Sequence, residues 1–200
     1  MTGIVLAGGK SRRMGRYKLF LEAGGVPLFE RVYWVLNRIF TDIIVVANTP
    51  EWFQSYDVRV IPDVLPGRGA LGGLYTGLKY ASSDCSFCFA ADMPFLNAGL
   101  IRYMIEKRDE GDVIIPRTSD GLQPLHAIYS KKCLKPMENL LSRGNLKIID
   151  FFMEVTVIYI SEGEILNYDP MLLSFLNVNT KEDLRRAENL LTSAPWMESR

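Results

Sequence analysis

No stretch of the sequence approaches the roughly 20 consecutive apolar residues that a membrane-spanning helix requires, although 48% of the 200 residues are hydrophobic. Association with a membrane is therefore not expected. Neither sign of charge is in excess: Lys plus Arg and Asp plus Glu number 23 each, for a formal net charge of zero. Non-specific nucleic-acid binding, which draws on a broad surplus of positive charge, is disfavoured, while a local anion site stays open. Histidine is nearly missing. The single copy, His126, sits in a strand-edge segment and reads as structural rather than catalytic. Cysteine is scarce as well, and three residues without a secretory context favour a reducing, cytoplasmic setting. The apolar start, Thr2 to Ala7, runs directly into glycine and arginine with no charge before it, so it reads as a first strand and not as a leader. There is no internal repeat and no low-complexity segment.

Cys85 and Cys88 have the spacing of a metal or redox pair. They lie in an apolar run through Phe87 and Phe89 that reads as a buried strand, where residues three apart face opposite ways. Two such thiols cannot share a metal, so inert core cysteines are expected.

What is present is a regular alternation. Apolar strands at Gly3–Leu6, Ile43–Ala47, Arg59–Ile61, Phe87–Ala91 and Val113–Pro116 alternate with helix-period segments. The helices expected are one opened by Pro27 in its first turn, one carrying Leu71, Leu74 and Leu78, and one over Gly99–Arg108. At this length folding hides roughly 70% of the unfolded chain's surface, enough for a core without disulfides. Repeated βα units predict a single Rossmann-like, three-layer α/β domain with a mostly parallel sheet. Beyond residue 117 the pattern loosens: a turn over 118–121, a strand over Ala127–Tyr129, a helix over Lys131–Ser142 and a strand over Val155–Ile160. Thr180 and Asp183 form a variant capping box ahead of a last helix with Leu184, Ala187 and Leu191 inward. The expected division is a nucleotide-binding part over about 1–95, an acceptor-binding part over about 96–193 and a frayed tail over 194–200.

The loop after the first strand is the most informative stretch. Gly8 and Gly9 let backbone approach a ligand and offer N–H groups to phosphate oxygens. Five of the nine residues from Lys10 to Lys18 are Lys or Arg. The run stands at the carboxyl end of a strand, where open α/β sheets place ligands, so triphosphate binding is preferred over a merely solvated basic loop. It is not a P-loop, because the first glycine of that motif would fall on Ile4. Gly67, Gly69 and Gly72 match a dinucleotide fingerprint, but they are separated from their strand by Pro62–Pro66 and belong to the third strand. Asp92, in Ala91-Asp92-Met93-Pro94, ends a buried strand and suits a hard cation that bridges phosphates. Asp63 ends another strand and is a weaker candidate.

Taken together these segments resemble the molybdenum cofactor guanylyltransferase family, often called MobA. Residues 6–15 with Lys18 look like its L-A-G-G-x-S-x-R-M-G-x-x-K motif, and Gly69-Ala70-Leu71-Gly72-Gly73 is similar to its G-P-L-x-G loop. Asp92-Met93-Pro94, Gln123-Pro124-Leu125 and Asn177-Val178-Asn179-Thr180 look like its D-x-P, Q-P-L and N-V-N-T segments, in family order over residues 3 to about 190. Tyr17 stands where the family commonly has Asp, and Ala70 where it has Pro.

The resemblance implies GTP and molybdopterin or Mo-molybdopterin as substrates and Mg²⁺ as cofactor, with molybdoenzyme chaperones as candidate partners. By position it places Leu6, Ala7, Gly8 and Gly9 along the nucleotide and Lys18 on its phosphates. Asn48 and Asp63 fall near the nucleoside, and Asp92 on the metal and GTP. Asn177 and Asn179 fall in the substrate surroundings. Arg13, with Lys18 and Asp92, is expected to neutralise charge on the leaving group. The alternatives are a cytidylyltransferase or another small-molecule nucleotidyltransferase, an NAD-dependent oxidoreductase resting on Gly67–Gly72, and a non-catalytic nucleotide sensor.

Overall fold

A computed structural model describes residues 1–8 and 18–193. Gly9 and Arg13, with the rest of the basic loop, and the segment 194–200 lie outside the described residues. Four strands run parallel at one side and centre of the sheet, β1 (Thr2–Leu6), β4 (Asp42–Val46), β5 (Arg59–Ile61) and β6 (Cys85–Ala90), and farther out lies the parallel pair β7 (Val113–Thr118) and β10 (Val157–Ser161). The antiparallel β9 (His126–Ser130) is inserted between β6 and β7. The strand order is β5-β4-β1-β6-β9-β7-β10, with the two-residue β8 (Gly121–Leu122) paired to β7. A hairpin, β2 (Glu22–Ala23) and β3 (Val26–Pro27), stands apart.

Side-chain alternation divides the strands between two cores. Val5, Val45, Phe87, Phe89, Ile114 and Ile160 face α1 (Leu28–Leu36), α3 (Ala98–Glu106) and α5 (Glu162–Leu166). Ile4, Ile44, Cys88, Ile115 and Tyr129 face α2 (Gly69–Tyr80) and α4 (Leu134–Ser142). This is the three-layer arrangement expected of apolar, parallel strands covered on both faces. A third, smaller cluster joins α6 (Lys181–Ser193) to the hairpin through Ala23, Leu28, Ala187 and Leu191. Among the described residues no helix is long and apolar enough to cross a membrane.

Several local expectations hold, and some are refined. Cys85 and Cys88 fall in different cores, on opposite faces of β6, and the cysteines are free. Thr180 accepts from the Asp183 N–H while Asp183 accepts from the Thr180 N–H at 2.8 Å, so the Asp variant of the capping box forms. Pro27 does not open α1 from inside. It pairs with Glu22 at ψ 141°, and the helix starts one residue later. The helix expected from Lys131 begins as a 3-10 turn over Lys131–Cys133. α5 was not anticipated, although Ser161 and Glu164 are spaced as a capping box and form one.

At the amino ends of the strands, the Asp42 carboxylate accepts from the Thr2 and Ser82 hydroxyls at 2.9 and 2.7 Å and pairs with Arg59. Burial works against its charged form. The hydrogen bonds and the guanidinium outweigh that and hold the carboxyl below its ordinary range. This network ties three strands and leaves the chemistry to the other end.

Candidate functional site

The carboxyl ends of β1, β4, β5 and β6 meet at one edge of the sheet, flanked by the amino end of the antiparallel β9. Backbone bonds past the ladder hold these ends in line. The Ala7 N–H donates to Val46 O at 3.1 Å, Ala47 N–H to Ile61 O at 3.1 Å, and Ala91 N–H to Leu6 O at 3.2 Å. Neighbouring strands leave β1 in opposite directions here: β4 is reached through α1 on one face, and β6 through α2 on the other. Such a switch point opens a crevice above the strand ends, and this is where α/β sheets bind ligands.

Within this edge, the Leu6 carbonyl and the Ala7 amide are already committed to neighbouring strands. Gly8 is the first residue whose N–H makes no hydrogen bond among the described residues. Among the described residues, a Cβ on Gly8 would meet Val46 O alone, at 3.9 Å. Lys18 opens a short 3-10 turn over Lys18–Phe20.

Where β4 and β5 end, Asn48 Oδ1 accepts the Asp63 N–H at 3.1 Å, joining the two strand ends. One oxygen of Asp63 accepts from the Leu65 N–H at 2.9 Å and from the Thr76 hydroxyl at 3.0 Å. Asp63 and Asn48 are thus brought together, with Thr76 as a third member. α2 starts just beyond, its amino end directed at the same edge, so its dipole adds partial positive charge there.

Asp92 follows β6 and is half-buried. Its carbonyl accepts the Val178 N–H at 2.9 Å, which sets Asn177 and Asn179, both exposed, on either side of that contact. Two further bonds join the same segments: Asn97 N–H to Ser174 Oγ at 3.0 Å and Asn97 Nδ2 to Tyr168 O at 2.8 Å. The buried Asp169 carboxylate organises the turn by accepting the Leu173 and Ser174 N–H groups. Asp92, Asn177 and Asn179 are therefore one unit, although 85 residues separate the first two in sequence. Neither Asn97 nor Asp169 stood out beforehand; their signal is the polar residue ahead of a short helical turn.

The alternative fingerprint at Gly67–Gly72 has a different explanation. Gly67 and Gly69 have φ of 82° and 61°, serving a turn. A Cβ on Gly72 would stand 2.8 Å from Arg68 Cβ, so this glycine allows α2 to pack on its own leading loop. Trp52 is half-buried with its ring 6.2 Å from Phe20. A groove of about 1060 Å³ on the flank, bordered by Trp34, Arg38, Phe95 and Tyr168, includes none of Leu6, Asn48, Asp63 or Asp92.

His126 is fully buried at the start of β9, its ring edge-on to Phe87, Phe89 and Phe175 at 5.2 to 5.5 Å. Neither ring nitrogen has a hydrogen-bond partner. Burial pushes its pKa down from 6.5 to about 3, so it is neutral and structural. Because the folded value is depressed, the unfolded chain takes up the proton first as pH falls below 6.5, and stability declines toward about pH 3. Between pH 6.5 and 5 this one residue should cost about 2 kcal/mol. Urea unfolding at both pH values should show His126→Phe losing that much less than wild type; equal losses would assign the acid sensitivity elsewhere.

The mostly parallel sheet order and the carboxylates that follow the ends of β5 and β6 fit an α/β protein of the nucleotidyltransferase type. Residues 3–155 match the model of the MobA-like NTP transferase domain. The chain belongs to that family. It is 39% identical over 200 residues to a probable molybdenum cofactor guanylyltransferase of Pelotomaculum thermopropionicum, covering 98% of both chains. It is 37% identical to the molybdenum cofactor guanylyltransferase of Desulfosudis oleivorans, covering 94% of both. Among solved structures, molybdopterin-guanine dinucleotide biosynthesis protein A of Archaeoglobus fulgidus superposes with a TM-score of 0.83 at 27% identity, over 96% of this chain and all of that one. Membership of this family overturns the NAD-dependent oxidoreductase reading.

Proposed function

We propose that this chain is a molybdenum cofactor guanylyltransferase, transferring GMP from GTP to molybdopterin or Mo-molybdopterin and releasing pyrophosphate. The observation that carries the reading is the end-to-end relationship, 39% identity over 98% of the chain, to a probable enzyme of that activity. The site supports it through Gly8, Asn48, Asp63 and Asp92 at adjacent strand ends. The nucleotide-binding part is about residues 1–95 and the acceptor-binding part about 96–193.

A terminal phosphate oxygen of the acceptor attacks the α-phosphorus of GTP, a new P–O bond forms, and the bond to the β-phosphate breaks. The nucleophile is already anionic, so no protein nucleophile or base is required. What the protein contributes is alignment and neutralisation of charge on the leaving pyrophosphate. Gly8 and Gly9 bring backbone N–H groups against the triphosphate, and Lys18 and Arg13 supply cations to it. Asn48 and Asp63 meet the nucleoside. Asn177 and Asn179 meet the acceptor.

Mg²⁺ fits the donor set. Asp92 is a half-buried carboxylate at a strand end, and this ion keeps several waters and completes its shell with substrate phosphates. Among the described residues no group of three or more His, Cys, Asp or Glu forms a closed metal cage. Asp92 would hold the ion, which when bound supplies positive charge to the phosphates.

Thermal unfolding with Mg²⁺ and each of GTP, CTP, ATP and NAD tests the nucleotide. A ligand at a hundred times its dissociation constant adds about 2.7 kcal/mol, a rise of several degrees at this size. A Mg²⁺-dependent rise with GTP alone is expected. A preference for CTP would keep the mechanism and change the product.

A further inference from the structure

The proposed reading puts Asp63 against the nucleoside, and the structure contains a device that aims it. Thr76 lies on α2 with none of its surface exposed. Its hydroxyl oxygen is 3.0 Å from Asp63 Oδ1, 2.9 Å from the Gly72 carbonyl and 3.2 Å from the Val64 N–H. A helical threonine ordinarily bonds to the carbonyl four residues back and nothing more. Here the same hydroxyl also accepts from one residue of the β5 strand-end loop and reaches the carboxylate of another. Its single proton has two acceptors in range, and the charged one makes the stronger bond.

The geometry around Asp63 is one-sided. Oδ1 takes both donors, Leu65 N–H and Thr76 O–H, while the Asp63 N–H is held by Asn48. No donor among the described residues meets Oδ2. Two hydrogen bonds on one oxygen fix the carboxylate plane and leave the other oxygen to face outward. The close approach of α2 to β1 makes this possible: a Cβ on Gly73 would stand 3.4 Å from Leu6, and one on Gly77 would collide with Ile4. Those glycines bring Thr76 within reach of the strand-end loop.

We infer that Thr76 is a positioning residue for nucleotide binding, acting through Asp63: its buried hydroxyl holds the Asp63 carboxylate in the orientation that meets the nucleoside. It does not touch substrate. Thr76→Val keeps the shape, removes the donor from Asp63 and leaves the Val64 N–H without its acceptor.

The test is the GTP affinity by calorimetry, with kcat and KM for GTP, in Thr76→Val, Thr76→Ser, Asp63→Ala and Asp63→Ala/Thr76→Val, at a temperature where each is folded by circular dichroism. Loss of one hydrogen bond to a charged group corresponds to a rise in KM of roughly tenfold or more. Thr76→Val should show that rise with kcat within about twofold of wild type. Thr76→Ser should restore the wild-type KM, and the double variant should be no worse than Asp63→Ala. A wild-type KM in Thr76→Val, or a full tenfold loss that persists on the Asp63→Ala background, would overturn the inference. If Thr76→Val does not fold, Thr76→Ala against Thr76→Ser gives the same comparison. A wild-type chain that binds no GTP overturns the nucleotide reading itself, whereas normal GTP binding with indifferent variants overturns only the role of Thr76.

Discussion

Asp92→Ala is expected to lower kcat about 10²–10³-fold, the loss seen when one preorganised charge-stabilising group is removed from a reaction centre. The residue stands where β6 ends, and the fold uses its backbone: the Asp92 carbonyl accepts Val178 N–H, a bond that alanine keeps. In a mechanism with no protein nucleophile, charge neutralisation and alignment carry most of the acceleration, so a carboxylate that holds the cation should be among the costliest to lose. Arg13→Ala should fall in the same range for the same reason. Steady-state pyrophosphate release measures both. Near-wild-type turnover in Asp92→Ala would remove the metal assignment, and unchanged GTP affinity in Lys18→Ala would remove that lysine from the phosphates.

The largest structural effect is expected at Gly77. A Cβ built there collides with Ile4 Cγ2 and stands 3.2 and 3.3 Å from two more atoms of the same side chain. Ile4 is fully buried in the central strand, with β4 and β6 on either side, so it has nowhere to go. Gly77→Val must lift α2 from the sheet. Overpacking of this kind costs about 3 kcal/mol, or roughly 6–12 °C in Tm for a domain of this size. Since α2 carries Thr76, weaker GTP binding should accompany the loss. Gly163→Ala is the contrast: nothing lies within 4 Å of its Cβ and it is in a helix, so no destabilisation is expected. Differential scanning calorimetry decides the pair, and a wild-type Tm in Gly77→Val would contradict the packing account.

Much of this was legible in the residues because the relevant physics is local. Continuous apolar runs such as Ile43–Val46, only a few residues long and rich in β-branched side chains, read as doubly covered strands. Asp92 is conspicuous because it directly follows an apolar run, and Asp63 because only Pro62 separates it from one. Other features depend on distant partners. β9 reads as an ordinary short strand; that it runs antiparallel between β6 and β7 follows from the Phe89–His126 and Val113–Tyr129 registers, which no window of sequence contains. Thr76 looks like one more helical residue until α2 is packed against β1. The bond from Val178 to Asp92 likewise appears only after the chain has returned across the domain, and it turns two separate polar motifs into one unit.

The most direct test of the whole account is pyrophosphate release by the purified chain given molybdopterin and Mg²⁺, with GTP and CTP compared at equal concentration. The account predicts release with GTP, dependent on molybdopterin and abolished by chelation of the metal, together with formation of the guanine dinucleotide. Binding of GTP without any pyrophosphate release would contradict it and identify a nucleotide sensor in place of a transferase.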